Sequence, residues 1–140
     1  MDNRYITVRV FVKADIDTVW ESWNKPEHIT KWCFASDDWG VPEAKNDLHV
    51  GGKFNTRMEA KDKSMGFNFI GTYTAVEENE LIEYTIVEDH RHVKIQFDKS
   101  SDGVEVIEMF EPEKENSLEM QREGWQSILN NFKKYVESRK

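Results

Sequence analysis

Leucine is scarce in this chain, with four residues against 21 valines and isoleucines. Branching at Cβ suits a pleated strand better than a helix, so the imbalance points to a sheet-rich domain. Cysteine is scarcer still: Cys33 stands alone, which rules out an internal disulfide and fits a reducing, cytoplasmic setting. Basic residues are outnumbered 19 to 27, for a net charge of −8. A grip on nucleic acid or on an anionic membrane needs the opposite balance, so neither is expected as a partner. No apolar run approaches the length of a membrane span, and the opening MDNRYITVRV carries an acid and alternates. A signal peptide and a spanning helix are therefore not expected. Nucleophile elbow, phosphate loop, dinucleotide fingerprint and zinc-protease motif are missing too, so neither cofactor nor metal is expected.

What remains is a chain of 140 residues, the size of one domain over 1–140, long enough to fold without metal or disulfides. Only 38% of it is hydrophobic, but 17 residues are aromatic, five of them tryptophan. The core must rest on a few large side chains.

Residues 5–12, YITVRVFV, alternate as a strand with Ile6, Val8, Val10 and Val12 on one side. Asp15 then caps a helix whose apolar face is Ile16, Val19, Trp20 and Trp23. Asn24 and Pro26 divide it from a second short helix carrying Ile29 and Trp32. Residues 33–47 hold neither period and contain Gly40 and Pro42, which reads as a long loop bearing Trp39. From Leu48 a meander follows: a short strand broken by Gly51-Gly52, then strands over 53–60, 67–77, 81–88, 92–98 and 104–111. Ser117 caps a long helix with an apolar stripe of Leu118, Trp125, Ile128, Leu129, Phe132, Tyr135 and Val136. Glu119, Gln121 and Arg122 fall on its other face, and the final SRK reads as a frayed end.

A turn centred on Glu78-Asn79 sets Tyr73 opposite Tyr84, Gly71 opposite Ile86 and Ala75 opposite Ile82. The same face takes Phe67 and Phe69 and, across the preceding turn, Phe54, Thr56 and Met58, with Phe54 over Gly71. Its two phenol hydroxyls need partners if buried, from protein, water or a ligand. In the last hairpin Val93, Ile95 and Phe97 face inward beside Val104 and Val106, and the same parity carries Glu108 inward. A one-residue slip in the SSDG turn instead turns Glu108 out and brings Ile107 and Met109 in; both registers are open to the sequence. An inward carboxylate is costly unless paired, which makes Glu108 the one catalytic candidate.

Four segments, DIDTVWESWNKPEHITKW, VGGKF at 50–54, GTYTAVEENELIEYT at 71–85 and GWQSILNNF at 124–132, together resemble the activator of heat-shock chaperone ATPase homologue family, in the START-like SRPBCC superfamily. The likeness runs from about residue 5 to 137. It implies an α+β helix-grip fold: a curved antiparallel sheet of about seven strands around a long C-terminal helix, two short helices after the first strand, and a cavity between sheet and helix. The aromatic face then places Trp32, Phe54, Met58, Phe69, Tyr73, Tyr84, Ile86, Ile95, Trp125 and Leu129 on the cavity wall. Trp39 is an alternative at its mouth, and Gly124 beside Trp125 implies either close packing or room for the cavity.

Relatives in the superfamily include lipid and hormone carriers, aromatic cyclases and the C-terminal domain of the chaperone activator. Three functions follow as expectations. The first is a domain binding a small hydrophobic ligand. The second is a cyclase- or lyase-like enzyme, with Glu108 as acid/base and Tyr73 or Tyr84 as donors. The third is an interaction module for a chaperone partner, using the acidic surface and the Trp39 loop. The last is disfavoured because the first strand begins by Tyr5, leaving nothing to match the activators' separate N-terminal domain. His90-Arg91-His92 and EPEKEN at 111–116 read as solvated connections, and Cys33 as a small buried hydrophobe.

Overall fold

The computed structural model describes residues 5–139; Met1 to Arg4 and Lys140, with the readings made on them, lie outside the described residues. Strand β1 (Ile6–Val12) leads into helices α1 (Ile16–Asn24) and α2 (Pro26–Trp32). Six strands follow in a meander: β2 (Trp39–Asn46), β3 (Lys53–Ala60), β4 (Gly66–Glu77), β5 (Leu81–Ile86), β6 (His92–Ser100) and β7 (Gly103–Phe110). Helix α3 (Leu118–Ser138) closes the chain. One antiparallel sheet runs β1-β7-β6-β5-β4-β3-β2 and curls around α3, the helix-grip arrangement. No helix among the described residues is long and apolar enough to cross a membrane.

Local chemistry sets the helix starts. Asp15 accepts from the Thr18 amide at 3.4 Å and from its hydroxyl at 2.5 Å, Pro26 opens α2, and the Ser117 hydroxyl accepts from the Met120 amide at 3.1 Å. The alternation of β1 is followed in burial, with Ile6, Val8, Val10 and Val12 all inside. Helix α3 then lies along the free side of this edge strand. Arg122, Gln126 and Lys133 donate to the carbonyls of Thr7 (2.8 Å), Arg9 (3.1 Å) and Phe11 (2.5 Å), every second residue of β1. Glu137 completes the row by accepting from the Lys13 amide at 2.9 Å.

Five readings of the sequence need correction. Residues 39–46 form a strand, with a bulge between Gly40 and Glu43, while no strand exists at 48–50. As an edge with one fully buried residue, Val41, it shows no hydrophobic period to read. In the β4–β5 hairpin, Tyr73 pairs with Tyr84 and Gly71 with Ile86 as expected, but Ala75 pairs with Glu83 and not with Ile82. The turn is one residue longer than expected, with Glu77 opposite Leu81 and Asn79 at φ 66°, and a bulge between Tyr73 and Ala75 takes that residue back. On α3, Leu118 is exposed and Gln121 is buried. The Gln121 amide holds the 111–116 connection by bonding the Glu113 amide (2.8 Å) and the carbonyls of Glu113 (3.1 Å) and Asn116 (2.9 Å), so that segment is tethered and not merely solvated. His92 is also held, with Tyr5 Oη at 2.8 Å and Glu83 Oε1 at 2.8 Å.

The aromatics divide into two groups. Trp23, Trp32 and Phe132 meet at ring separations of 4.7–5.0 Å between α1, α2 and α3, and Trp20 and Trp23 both stand edge-on to Phe97 of β6. This is the closed end of the sheet. The second group surrounds a space, whose wall Trp23 and Trp32 of the first group also share.

Candidate functional site

Between β3, β4, β5 and the helices lies a cavity of about 750 Å³. From the sheet, Phe54 and Met58 of β3, Phe69 and Tyr73 of β4, and Tyr84 and Ile86 of β5 line it. Trp32 of α2 and Trp125 and Ile128 of α3 form the opposite wall. Alternation explains the sheet side: residues two apart point the same way, and the β3–β4 register sets Phe54 across from Gly71. There the glycine is required. A Cβ at Gly71 would stand 2.3 Å from the Phe54 ring and 2.8 Å from the Tyr84 ring. The outer edge of the Phe54 ring sits over that bare backbone, and the ring meets Tyr84 edge-on at 4.7 Å, so the rings brace one another. On the helix side Trp125 stacks on Phe110 at 3.9 Å, which fixes its face toward the cavity.

Of the ten side chains expected on the wall, Ile95 and Leu129 are not there. Both are fully buried behind it, because the closed end of the sheet packs them directly against other core residues. Phe67, expected on the inner face, is 48% exposed and stands at the rim with Val87 and Glu88. Trp39 faces Phe67 at 6.0 Å without lining the cavity. Gly124 is neither a close contact nor a wall residue: a Cβ there would meet nothing within 4 Å. Sequence reasoning missed Trp23, Ile29, Asn46, Arg91 and Ile128 as wall residues, and missed Cys33 in that role. Asn46, Arg91 and Cys33 come from a strand read as loop, a turn and a helix end, where no period signals an inward direction; Trp23, Ile29 and Ile128 lie on apolar helix stripes, whose period marks a buried face without telling core from cavity. Arg91 did carry a signal, as the cation inside an acidic turn.

The register of the last hairpin is resolved. Ser100 pairs with Gly103 around a two-residue turn, which places Glu108 between Val8 and Ile95 on the inner face. The residue is 6% exposed and lines the cavity, and among the described residues its carboxyl makes no hydrogen bond or ion pair. Burial lifts its pKa from 4.5 to about 8, so it holds its proton at neutral pH. Its charge, when present, bears on Tyr84 and Cys33, which share this end of the cavity. Burial drives the Tyr84 phenol well above its ordinary value and the Cys33 thiol up to about 12. Such a thiol stays protonated, which removes it as a nucleophile. Tyr84 Oη has no hydrogen-bond partner among the described residues, whereas Tyr73 Oη donates to Asn46 Oδ1 at 2.6 Å. Asn46 is itself anchored by donating to the Asn24 carbonyl at 2.7 Å.

The cavity therefore has a satisfied polar corner at Tyr73 and Asn46, and an unsatisfied one at Glu108 and Tyr84. Among the described residues no group of three His, Cys, Asp or Glu side chains is arranged to hold a metal. Of the four histidines, none lies on the wall.

Comparison with known proteins agrees with this architecture. A solution structure of an AHSA1-like protein from Aeromonas hydrophila is 40% identical and superposes with a TM-score of 0.90, covering 96% of this chain and 92% of that one. The protein Chr148 of Cytophaga hutchinsonii is 52% identical at TM-score 0.83, with 97% and 94% covered. A protein from Nitrosomonas europaea shares the fold at 16% identity and TM-score 0.84, with 99% and 97% covered. No curated protein matches the sequence. The family model for activator of Hsp90 ATPase homolog 1-like proteins matches residues 13–137, and the chain belongs to that family.

Proposed function

We propose that this protein binds a small, largely apolar molecule in the cavity between β3–β5 and the helices. The observation that carries this reading is the cavity itself. Its volume of about 750 Å³ falls in the range of drug-sized ligand sites, roughly 300–1,000 Å³, and its wall is aromatic with a few convergent polar groups. A domain with only 38% hydrophobic residues has aromatics to fill this space, yet Phe54, Phe69, Tyr84 and Trp125 stand around it. An empty apolar void forfeits dispersion contacts on every face, so leaving it unfilled favours a guest. The relatives of the resemblance that carry lipids and hormones support the same reading.

Native mass spectrometry of the protein purified from its own host tests it. The expected result is a retained mass above that of the bare chain, released on denaturation. The bare chain alone, with no quenching of cavity tryptophan fluorescence by naphthalene-based probes, overturns the reading.

A further inference from the structure

We propose that the guest of this cavity is an organic cation, an amine on an apolar body, whose ammonium group is received at the inner end by Glu108 and Tyr84. The proposal rests on the small-molecule reading above and names the ligand class for the same site.

Three observations carry it. First, Glu108 is buried on the inner face with no partner of its own, although a valine or glutamine would fill that position on β7 at less cost. A carboxylate needs donors, and the nearby groups supply few: Tyr84 has one O–H and Cys33 a weak S–H. An ammonium supplies three. Second, the cavity that this carboxyl faces is walled by the rings of Phe54, Phe69, Tyr84 and Trp125. Aromatic walls around one acid are the chemistry that recognises a desolvated cation. Third, an anion finds little to bind. The cation on the wall is Arg91, whose charge bears on Tyr84, but its guanidinium is already engaged by Asp89 Oδ2 at 2.6 Å and by the Glu111 carbonyl at 3.1 Å. Glu88 and Glu113 stand on the rim, and the chain as a whole carries −8, so the entrance draws cations.

The proton balance follows from the groups around Glu108. Tyr84 on β5, Cys33 after α2 and Tyr73 on β4 remain protonated at neutral pH, and α3 presents only Trp125 and Ile128 to the cavity. Glu108 is then the one inner group able to give up a proton. When an ammonium enters, the Glu108 O–H bond breaks, its proton passes to solvent, and the ammonium keeps its own protons and pairs with the carboxylate. Close to one proton leaves per ligand bound at pH 7.

Three probes with one ring system separate the outcomes: 2-naphthylmethylamine, 2-naphthylmethanol and 2-naphthoate, titrated calorimetrically in buffers of different ionisation enthalpy. The amine is expected to bind about tenfold tighter than the alcohol, with the carboxylate weakest, and to release close to one proton. In Glu108→Gln, which replaces a neutral acid by a neutral amide, the amine's advantage and the proton release both disappear while the alcohol still binds. Equal binding of amine and alcohol, or tightest binding of naphthoate, overturns the proposal and leaves the small-molecule reading standing. Failure of all three probes to bind overturns both. The wild-type comparison decides the matter if the variant does not fold.

Discussion

The two ends of the sheet use the same residue types to opposite effect. At the closed end, Phe132 is fully buried with Trp23 and Trp32 within 5.0 Å, and Phe97 is wedged beneath two tryptophans. At the open end, Phe54, Phe69 and Tyr84 touch one another at 4.7–6.2 Å but turn their remaining surface to a void. The difference lies in what covers each. Trp20 and Trp23 of α1 close over Phe97 of β6, with Trp32 of α2 and Phe132 of α3 packed against Trp23, while β3 and β4 face Trp32, Trp125 and Ile128 across a gap. Aromatic content thus says nothing about filling; the convergence of helices decides it.

The largest effect expected from breaking this contrast comes from truncating each end in turn. Phe132→Ala removes a ring enclosed on all sides and is expected to cost about 3–5 kcal/mol in chemical denaturation. Phe69→Ala, half-buried and facing the void, is expected to cost about 1–2 kcal/mol. Equal losses would mean the open end is packed as tightly as the closed one.

Next in size is the pH response of the open end. Glu108 binds its proton more tightly when folded, at about 8 against 4.5, so the folded state holds the extra proton between those values. Its contribution is complete below pH 4.5 and is lost as pH rises toward 8. Stability is expected to fall by about 3 kcal/mol between pH 5 and pH 8, and Glu108→Gln to remove most of that slope in denaturation curves taken at both pH values. A slope unchanged by the variant would put the titrating group elsewhere.

The smallest effect concerns the lid of the comparison. Gly124 lies in the interior of α3 with open space at its Cβ position. Gly124→Ala is expected to raise stability by about 0.5–1 kcal/mol, seen as a higher thermal midpoint. A loss instead would show that α3 must flex there.

Much of this architecture was legible because it rests on period and turn chemistry. The β1 alternation, the Asp15 and Ser117 caps, Pro26, and the inward set Val93, Ile95 and Phe97 each follow from a few adjacent residues. Two departures share one cause. The extra turn residue at Asn79 and the bulge after Tyr73 cancel beyond them, so local counting found the Tyr73–Tyr84 pair and still misplaced Ala75. Strand β2 hid because pairing on one side only leaves no buried face to repeat. The wall was half legible: its sheet side obeys alternation, whereas Cys33, Asn46 and Arg91 arrive from unrelated segments and only the folded chain brings them together.

The hydrogen bonds from α3 to the outer carbonyls of β1 bear on how the protein behaves in a crowd. An unpaired strand edge invites a strand from another molecule, and a sheet has two of them. On one edge Arg122, Gln126 and Lys133 already occupy the acceptors an incoming strand would need. The other, β2, is interrupted by Pro42 and by the bulge before Glu43, and it carries Glu43 and Lys45 outward. Side chains of the long helix blunt one edge, and a proline and a bulge blunt the other, so the same chain that keeps a hollow inside also carries its own obstacles to strand addition on both sides.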